Sequence, residues 1–396
     1  MTKNNKPSLA VILSRFPYPL EKGDKLRAYY QIKEMSAYFD INLICISEFY
    51  PKSEHIVELK KYCSEINVHV IPKWQSWLSC LLALFTGKPL QVAYFYKNSV
   101  RQKIEKKLHE LKPKHIFCQL IRVAEYVKNY HDCPKTLDYM DAFSTGIERR
   151  ISLEPFYLKW LFQLEYRRLN DYERQVYDYF EIHTIISQQD KHLLGTTPAQ
   201  KIVCIPNGVS NHFFVDHDKP NPTHDLVFVG NLNYPPNVEA VKFIVNAILP
   251  LAEKNGQNFR FLAAGAEPSK SLLNLSQKNK NVEILANPVD IRDAYLSGKV
   301  FIAPMKIGTG LQNKLLEAMA LGIPSITTSL ANNALKAIPG QEIGIAETAQ
   351  EFLDQINSLT DNDLYKILSE NGPKFIKKNF DWAAATEPLI SAIKNA

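Results

Sequence analysis

The sequence predicts an α/β protein made of two doubly wound, Rossmann-like domains. Short apolar runs alternate with longer helical patterns, as they do where a parallel sheet is covered on both faces. The alternation restarts once near the middle of the chain. At about 150 residues per domain, the 396 residues have room for two cores.

In the first half the candidate strands are residues 9–13, 41–46, 68–71, 116–118, 182–186 and 202–205. In the second they are 226–229, 259–263, 282–285, 300–303 and 325–328. Between the two series lie the turn cluster Pro206-Asn207-Gly208-Val209 and a polar stretch, 216–222. The expected domains are therefore 1–205 and 206–378. A last helix is expected over 379–396, with Trp382, Leu389 and Ile393 spaced seven and four apart on one stripe. In open α/β sheets ligands bind beyond the carboxyl ends of the strands.

With 45% hydrophobic and 22% charged residues, 15 Gly, 23 Pro and 6 Cys, disordered, collagen-like and disulfide-scaffold classes are excluded. Cys45, Cys63, Cys80, Cys118, Cys133 and Cys204 are too dispersed for a zinc site and read as reduced core thiols. The apolar run 9–13 is too short for a signal-peptide core and is soon followed by Arg15, so a cytoplasmic protein is expected. Nowhere are there about 18 consecutive apolar residues, so no transmembrane helix is expected. The most apolar stretch is 77–85. With Trp74, Trp77, Leu78, Leu81, Leu82, Leu84 and Phe85, the region 74–95 either lines an acceptor side or touches membrane, or is an ordinary core helix.

The net charge of +6 is uneven. Residues 1–205 hold 30 Lys+Arg against 22 Asp+Glu, and the remainder 17 against 19. A basic half suits an anionic membrane surface or a phosphorylated acceptor, or is a solvated face. No nucleic-acid module is present, so no nucleic-acid partner is expected.

The densest motif runs Ala303-Pro304-Met305-Lys306-Ile307-Gly308-Thr309-Gly310-Leu311-Gln312-Asn313-Lys314-Leu315-Leu316-Glu317, with Gly322 and Pro324 after it. It reads as strand, glycine loop and helix. The glycines let backbone approach a ligand, and a helix starting near Leu311 aims its N–H groups and positive dipole end at an anion. Glu317, just beyond, is placed to accept hydrogen bonds from ribose hydroxyls; an exposed polar helix face is the alternative.

This segment resembles the donor-binding signature of retaining nucleotide-sugar glycosyltransferases of family four, whose GT-B fold has two facing Rossmann-like domains. Phe228-Val229-Gly230-Asn231-Leu232-Asn233-Tyr234-Pro235-Pro236-Asn237 resembles that family's C-terminal glycine loop, and Pro206-Asn207-Gly208-Val209 its interdomain turn. Arg15-Phe16-Pro17-Tyr18-Pro19, Gly23-Asp24-Lys25-Leu26-Arg27, Asp138, Asp141, Ser144 and Leu164-Glu165-Tyr166-Arg167-Arg168-Leu169 resemble a sub-group associated with bacterial exopolysaccharide and protein-sorting gene clusters.

The resemblance implies an acceptor-side first domain, a donor-binding second domain and a C-terminal helix crossing back to the first. The implied donor contacts are Gly23, Asp24, Gly230, Asn231, Tyr234, Asn237, Thr309, Gly310, Leu311, Asn313 and Glu317. Glu317 matches the motif glutamate that holds ribose, whereas Thr309 stands where the first motif glutamate belongs. Lys306 and Lys314 are the candidates for neutralising the diphosphate. Where many members carry a catalytic histidine, this chain offers Gln119 and Arg122; His115 is expected at the opposite end of its strand. Asp138 and Asp141 are the acceptor-side candidates, with helix capping as the alternative.

Asp216-His217-Asp218 and Asp361-Asn362-Asp363 have the spacing of a diphosphate-chelating ion site. The first falls in the linker and the second reads as a helix cap, so neither metal nor cofactor is assigned. The expectation is a cytoplasmic hexosyltransferase, or one peripheral at the inner membrane, serving bacterial surface or exopolysaccharide synthesis. It would move sugar from a nucleotide diphosphate donor to a carbohydrate or lipid-linked acceptor. The alternatives are a nucleotide-sugar epimerase of the same fold and a nucleotide-binding scaffold subunit.

Overall fold

The apolar runs form the centre of two parallel sheets. In the computed structural model, which describes residues 6–152, 154–194, 201–214, 221–306 and 311–396, the chain divides into two units. One is Met1–Pro206 with Trp382–Ala396, and the other is Asn207–Asp381. The first holds β1 (Ser8–Leu13), β2 (Asp40–Ser47), β3 (Glu65–Val70), β4 (His115–Gln119), β5 (Lys135–Asp138), β6 (Ile182–Ile185) and β7 (Val203–Cys204). They are ordered β3-β2-β1-β4-β5-β6-β7. The second holds β8 (His224–Val229), β9 (Phe261–Gly265), β10 (Val282–Ala286), β11 (Gly298–Ala303), β12 (Ser325–Thr327) and β13 (Gly344–Ile345), ordered β10-β9-β8-β11-β12-β13.

β1 shows why these strands read as unbroken apolar runs. Successive side chains point to opposite faces, and both faces are buried. Ala10 and Ile12 enter one core with Ile44, Ile104 and Ile116. Leu9, Val11 and Leu13 enter the other with Ile32, Leu43 and Phe117. Parallel pairing with β2 puts Leu9 opposite Ile41 and Leu13 opposite Cys45.

The second core also takes Leu389, Ile390 and Ile393 from helix Trp382–Lys394. Trp382 stacks on Tyr30 at 5.0 Å between ring centroids. The last helix thus belongs to the first unit, and it begins at Trp382 rather than near 379, because helix Asn362–Asn379 of the second unit ends there.

β5 and β13 have no counterpart among the expected strands. β5 carries one aliphatic residue in four, and its ends are charged. Lys135 Nζ donates to the Tyr130 carbonyl at 2.7 Å. Asp138 receives Arg27 Nε at 2.6 Å and Nη2 at 3.1 Å, and the Thr184 hydroxyl at 2.8 Å. Both members of the Arg27–Asp138 pair are closed to solvent. Asp138 therefore ties helix Gly23–Met35 to the sheet, and its expected place on the acceptor side is corrected: it has no open surface.

Candidate functional site

Both sheets reverse strand order beside their first strand, β1 next to β4 and β8 next to β11. In doubly wound sheets, ligands bind outside the carboxyl ends at this reversal. Each unit gathers polar side chains at that point.

In the second unit the chain leaves β8 at Gly230 and turns into helix Pro235–Phe243. Asn231 Oδ1 accepts the backbone N–H groups of Asn233 at 2.9 Å and Tyr234 at 3.1 Å, which closes the turn. Asn237 Nδ2 donates to the Asn231 carbonyl at 2.8 Å. Two glycines make room here. A Cβ on Gly265, at φ +147°, would stand 1.8 Å from the Gly230 carbonyl oxygen, and one on Gly230 would meet Asn237 Nδ2 at 2.8 Å. The second unit needs both bare to bring β9, the loop and Lys314 together.

Across from this loop, helix Asn313–Ala320 begins with an N-cap, Gln312, whose side chain makes no cap bond. Among the described residues the N–H groups of Asn313 and Lys314 meet no backbone acceptor and are placed for an anion, whereas that of Leu315 bonds back to the Gln312 carbonyl at 2.9 Å. Lys314 Nζ donates to Asn237 Oδ1 at 2.5 Å, approaches Met305 Sδ at 3.7 Å, and lies 5.1 Å from the centre of the Phe228 ring. Glu317, three residues on, accepts the Tyr295 hydroxyl at 2.8 Å. Asn313 Oδ1 accepts Asn207 Nδ2 at 3.0 Å. Lys314 and Glu317 each keep part of their surface open, but their charged ends are enclosed.

Burial pushes the Lys314 ammonium down to about 7, against the pull of Glu317. It pushes the Glu317 carboxyl up to about 7, opposed by the Tyr295 hydrogen bond and by Lys314. Both charges are thus held at a cost. Among the described residues no carboxylate lies within 4 Å of the Lys314 ammonium.

In the first unit the corresponding point is bounded by two bulky residues at positive φ, Leu120 (68°) after β4 and Met140 (63°) after β5. Such conformations are uncommon outside glycine and concentrate where a site constrains the chain. Arg122 Nη2 donates to Gln91 Oε1 at 2.7 Å, and its guanidinium lies over the rings of Phe143 at 4.7 Å and Phe95 at 5.0 Å. Its Nε is buried with no hydrogen-bond partner among the described residues. Burial and the neighbouring Arg15 charge push Arg122 down to about 10.

Arg15 pairs with Asp24 and lies over the other side of the same cluster, 5.5 Å from the Phe95 ring centre. Asp141 is exposed. Desolvation, followed by repulsion from Asp190, pushes its carboxyl up to about 7; its open surface tempers the first cause and leaves the second. It does not cap the next helix, Phe143–Ile151, whose N-cap is Ala142. Glu173 takes that part, accepting the Ser144 N–H at 3.2 Å and hydroxyl at 2.5 Å. Beside this cluster a cavity of about 360 Å³ opens at the ends of β1 and β2, lined by Arg15, Lys22, Lys25, Lys52, Tyr94 and Phe95 among others.

The structure thus brings Gly230, Asn231, Tyr234, Asn237, Asn313, Lys314 and Glu317 together in the second unit, and Gly23, Asp24 and Asp141 at the strand ends of the first. The Asn231 side chain is committed to its own turn. Leu311 packs on the core of the second unit. The helix starts at Asn313, two residues later than expected. Lys306 is exposed, with Nζ 3.8 Å from the centre of the Phe243 ring. Thr309, Gly310 and the Asp216-His217-Asp218 triplet lie outside the described residues. Asp361 caps helix Asn362–Asn379 by accepting the Asp363 N–H. His115 opens β4 at its amino end, bonded to the Thr136 hydroxyl, with burial holding its ring down to about 4. Tyr295 went unnoticed in the sequence: it comes from a separate short helix, Ile291–Leu296, with no motif around it.

Residues 223–362, which contain the whole second-unit site apart from Asn207, match the family model for glycosyl transferases group 1. A 44.6 kDa protein from the cps region of Klebsiella pneumoniae is 24% identical over 398 residues, 94% of this chain and 96% of that one. Among solved structures, sucrose-phosphate synthase of Thermosynechococcus elongatus matches with a TM-score of 0.72 at 14% identity over 98% of each chain. Anabaena HepE, solved in complex with UDP-glucose, matches with a TM-score of 0.67 at 12% identity over 98% of this chain and 100% of that one. The fold is that of GT-B glycosyltransferases.

Proposed function

We propose that the chain is a retaining, metal-independent glycosyltransferase that moves a hexose from a nucleoside diphosphate sugar to a carbohydrate or lipid-linked acceptor in bacterial surface polysaccharide synthesis. The observation that carries this reading is the enclosed Lys314–Glu317 pair at the β8/β11 reversal, within the segment that matches glycosyl transferases group 1. An enclosed ammonium beside an uncapped helix start suits a diphosphate. A carboxylate one turn further on suits ribose hydroxyls.

In the reaction, the bond from the sugar's anomeric carbon to the diphosphate oxygen breaks and a bond to the acceptor oxygen forms. The acceptor's proton passes to the departing diphosphate. Lys314 and the helix N–H groups stabilise the charge that grows on the leaving group. Arg122, Asp141 and the first-unit cavity serve the acceptor. An epimerase acts on the donor alone, so this second constellation supports transfer. Incubation with a panel of nucleotide sugars, followed by product analysis, tests the assignment: a transferred or hydrolysed sugar is expected, and conversion to an epimer alone would overturn it.

Two results follow from the donor site. With Lys314 and the helix start neutralising the diphosphate, UDP binding is expected to be the same in EDTA as in magnesium. A loss of tenfold or more in EDTA, restored by magnesium or manganese, contradicts the mechanism. The second concerns pH. A diphosphate requires Lys314 protonated, and the free protein holds that ammonium at about 7. Affinity should therefore fall about tenfold per pH unit above that value, with uptake of up to one proton. Below about 7 Glu317 becomes neutral and its ribose contact weakens, which places the optimum near neutrality. Calorimetry in two buffers of different ionisation enthalpy measures the proton directly; no uptake at pH 8 would refute it.

A further inference from the structure

Helix Lys73–Thr86 carries its apolar face outward. Trp74, Trp77, Leu78, Leu81, Leu82 and Phe85 recur at the spacing of one helical face, and every one of them is at least 51% exposed. Ser76 and Ala83 are the residues turned inward, and Leu84 is half-buried. A helix covering a core has the reverse arrangement. Nearby, Phe156, Tyr157 and Trp160 are exposed at the start of helix Phe156–Tyr177.

The two helices are clamped together. Arg168 donates to the carbonyls of Ala83 and Leu84, both at 2.9 Å, and Glu165 accepts the N–H groups of Leu90 at 2.7 Å and Gln91 at 3.0 Å. Three of the chain's four tryptophans face outward on these two helices. Exposed apolar surface of this extent marks an interaction site.

The surrounding charge selects the occupant. Residues 66–104 contain Lys73, Lys88, Lys97, Arg101 and Lys103 and no Asp or Glu. Lys73, Lys88 and Arg101 pair with Glu48, Glu125 and Glu105 from outside that stretch, which leaves Lys97 and Lys103 without a carboxylate partner among the described residues. Two copies of such a segment would repel one another, whereas an anionic surface attracts it. Tryptophan and tyrosine beside leucine and lysine is the composition of segments that rest at the level of lipid headgroups. We propose that this face docks the protein on an anionic lipid bilayer.

Ser76 and Tyr94 line the first-unit cavity, and Trp77 packs edge-on against Tyr94 with ring centroids 5.9 Å apart. Docking therefore sets the cavity beside the headgroups. Taken with the reading of that cavity as the acceptor site, this makes the acceptor a lipid-linked amphiphile rather than a free sugar.

The test is co-sedimentation of the full chain with phosphatidylcholine vesicles, with and without phosphatidylglycerol. The wild type is expected to pellet with the anionic vesicles and to be released by salt. The Trp77→Ser/Phe85→Ser variant should lose roughly tenfold or more of that affinity, and Val289→Ser, on the second unit, none. Because both altered side chains face outward, thermal stability and UDP binding should not change, which separates failure of this proposal from failure of the donor-site reading. No pelleting of the wild type, or equal pelleting of the variant, overturns it. So does a wild-type dimer that the double substitution dissociates, which would assign the face to self-association.

Discussion

Deleting residues 382–396 is expected to unfold the first unit, although the deleted helix follows the second unit in the chain. Trp382, Leu389, Ile390 and Ile393 are each at most 5% exposed. Burying a side chain of this size contributes about 1.5–3 kcal/mol, so the four together contribute roughly 6–12 kcal/mol. A whole domain is stable by about 5–15 kcal/mol. A gentler version, Leu389→Ala, should cost about 2–5 kcal/mol, because its site lies between the sheet and helix Gly23–Met35 and has little freedom to collapse. All four tryptophans, at 74, 77, 160 and 382, belong to the first unit, and Trp382 is the buried one. Its fluorescence during urea unfolding therefore reports on that unit alone. An unchanged midpoint in Leu389→Ala would remove the helix from the core.

How far such features could be read beforehand depended on the kind of signal each left. β1 was legible because both its faces are buried, which removes polar alternation and leaves a bare apolar run. β5 was not, because its two ends are charged and yet buried: Asp138 pairs with Arg27 from far away in sequence, and the Lys135 ammonium donates to the nearby Val127 and Tyr130 carbonyls. The glycine loop, Lys314 and Glu317 were legible as a local motif. Tyr295, which holds the Glu317 carboxylate, reaches it only through the tertiary fold, from 22 residues away. The stripe from Trp74 to Phe85 was visible as a period. Periodicity says that residues share a face and is silent on whether the face meets a core or water, which is why the outward direction needed the structure.

The donor site should lose binding without losing stability when its charges are removed, which sets it apart from a merely structural pair. Lys314→Met keeps the length of the side chain, removes a charge that burial opposes, and places a thioether near Met305 and Phe228. It also gives up the hydrogen bond to Asn237, so the two effects offset and without ligand its stability is expected to stay within about 1 kcal/mol of the wild type. Its affinity for UDP should nevertheless fall about ten- to a hundred-fold, since a hydrogen bond to a charged group is worth about 1.5–3 kcal/mol. Glu317→Gln retains an oxygen for the Tyr295 hydroxyl and loses the charge that ribose hydroxyls would meet; Glu317→Ala loses both. Each should weaken UDP by a similar factor. Because the two charges also support one another, each single loss already includes part of the other, and the double variant should lose less than the product of the two. Calorimetric titration with UDP, run beside thermal unfolding of the same samples, gives both quantities. Unchanged affinity in Lys314→Met and Glu317→Gln would mean that the nucleotide is held elsewhere. Affinity and stability falling together would make the pair a structural element of the second unit. Only lost affinity with stability kept or raised fits a site whose charges await a diphosphate and a ribose.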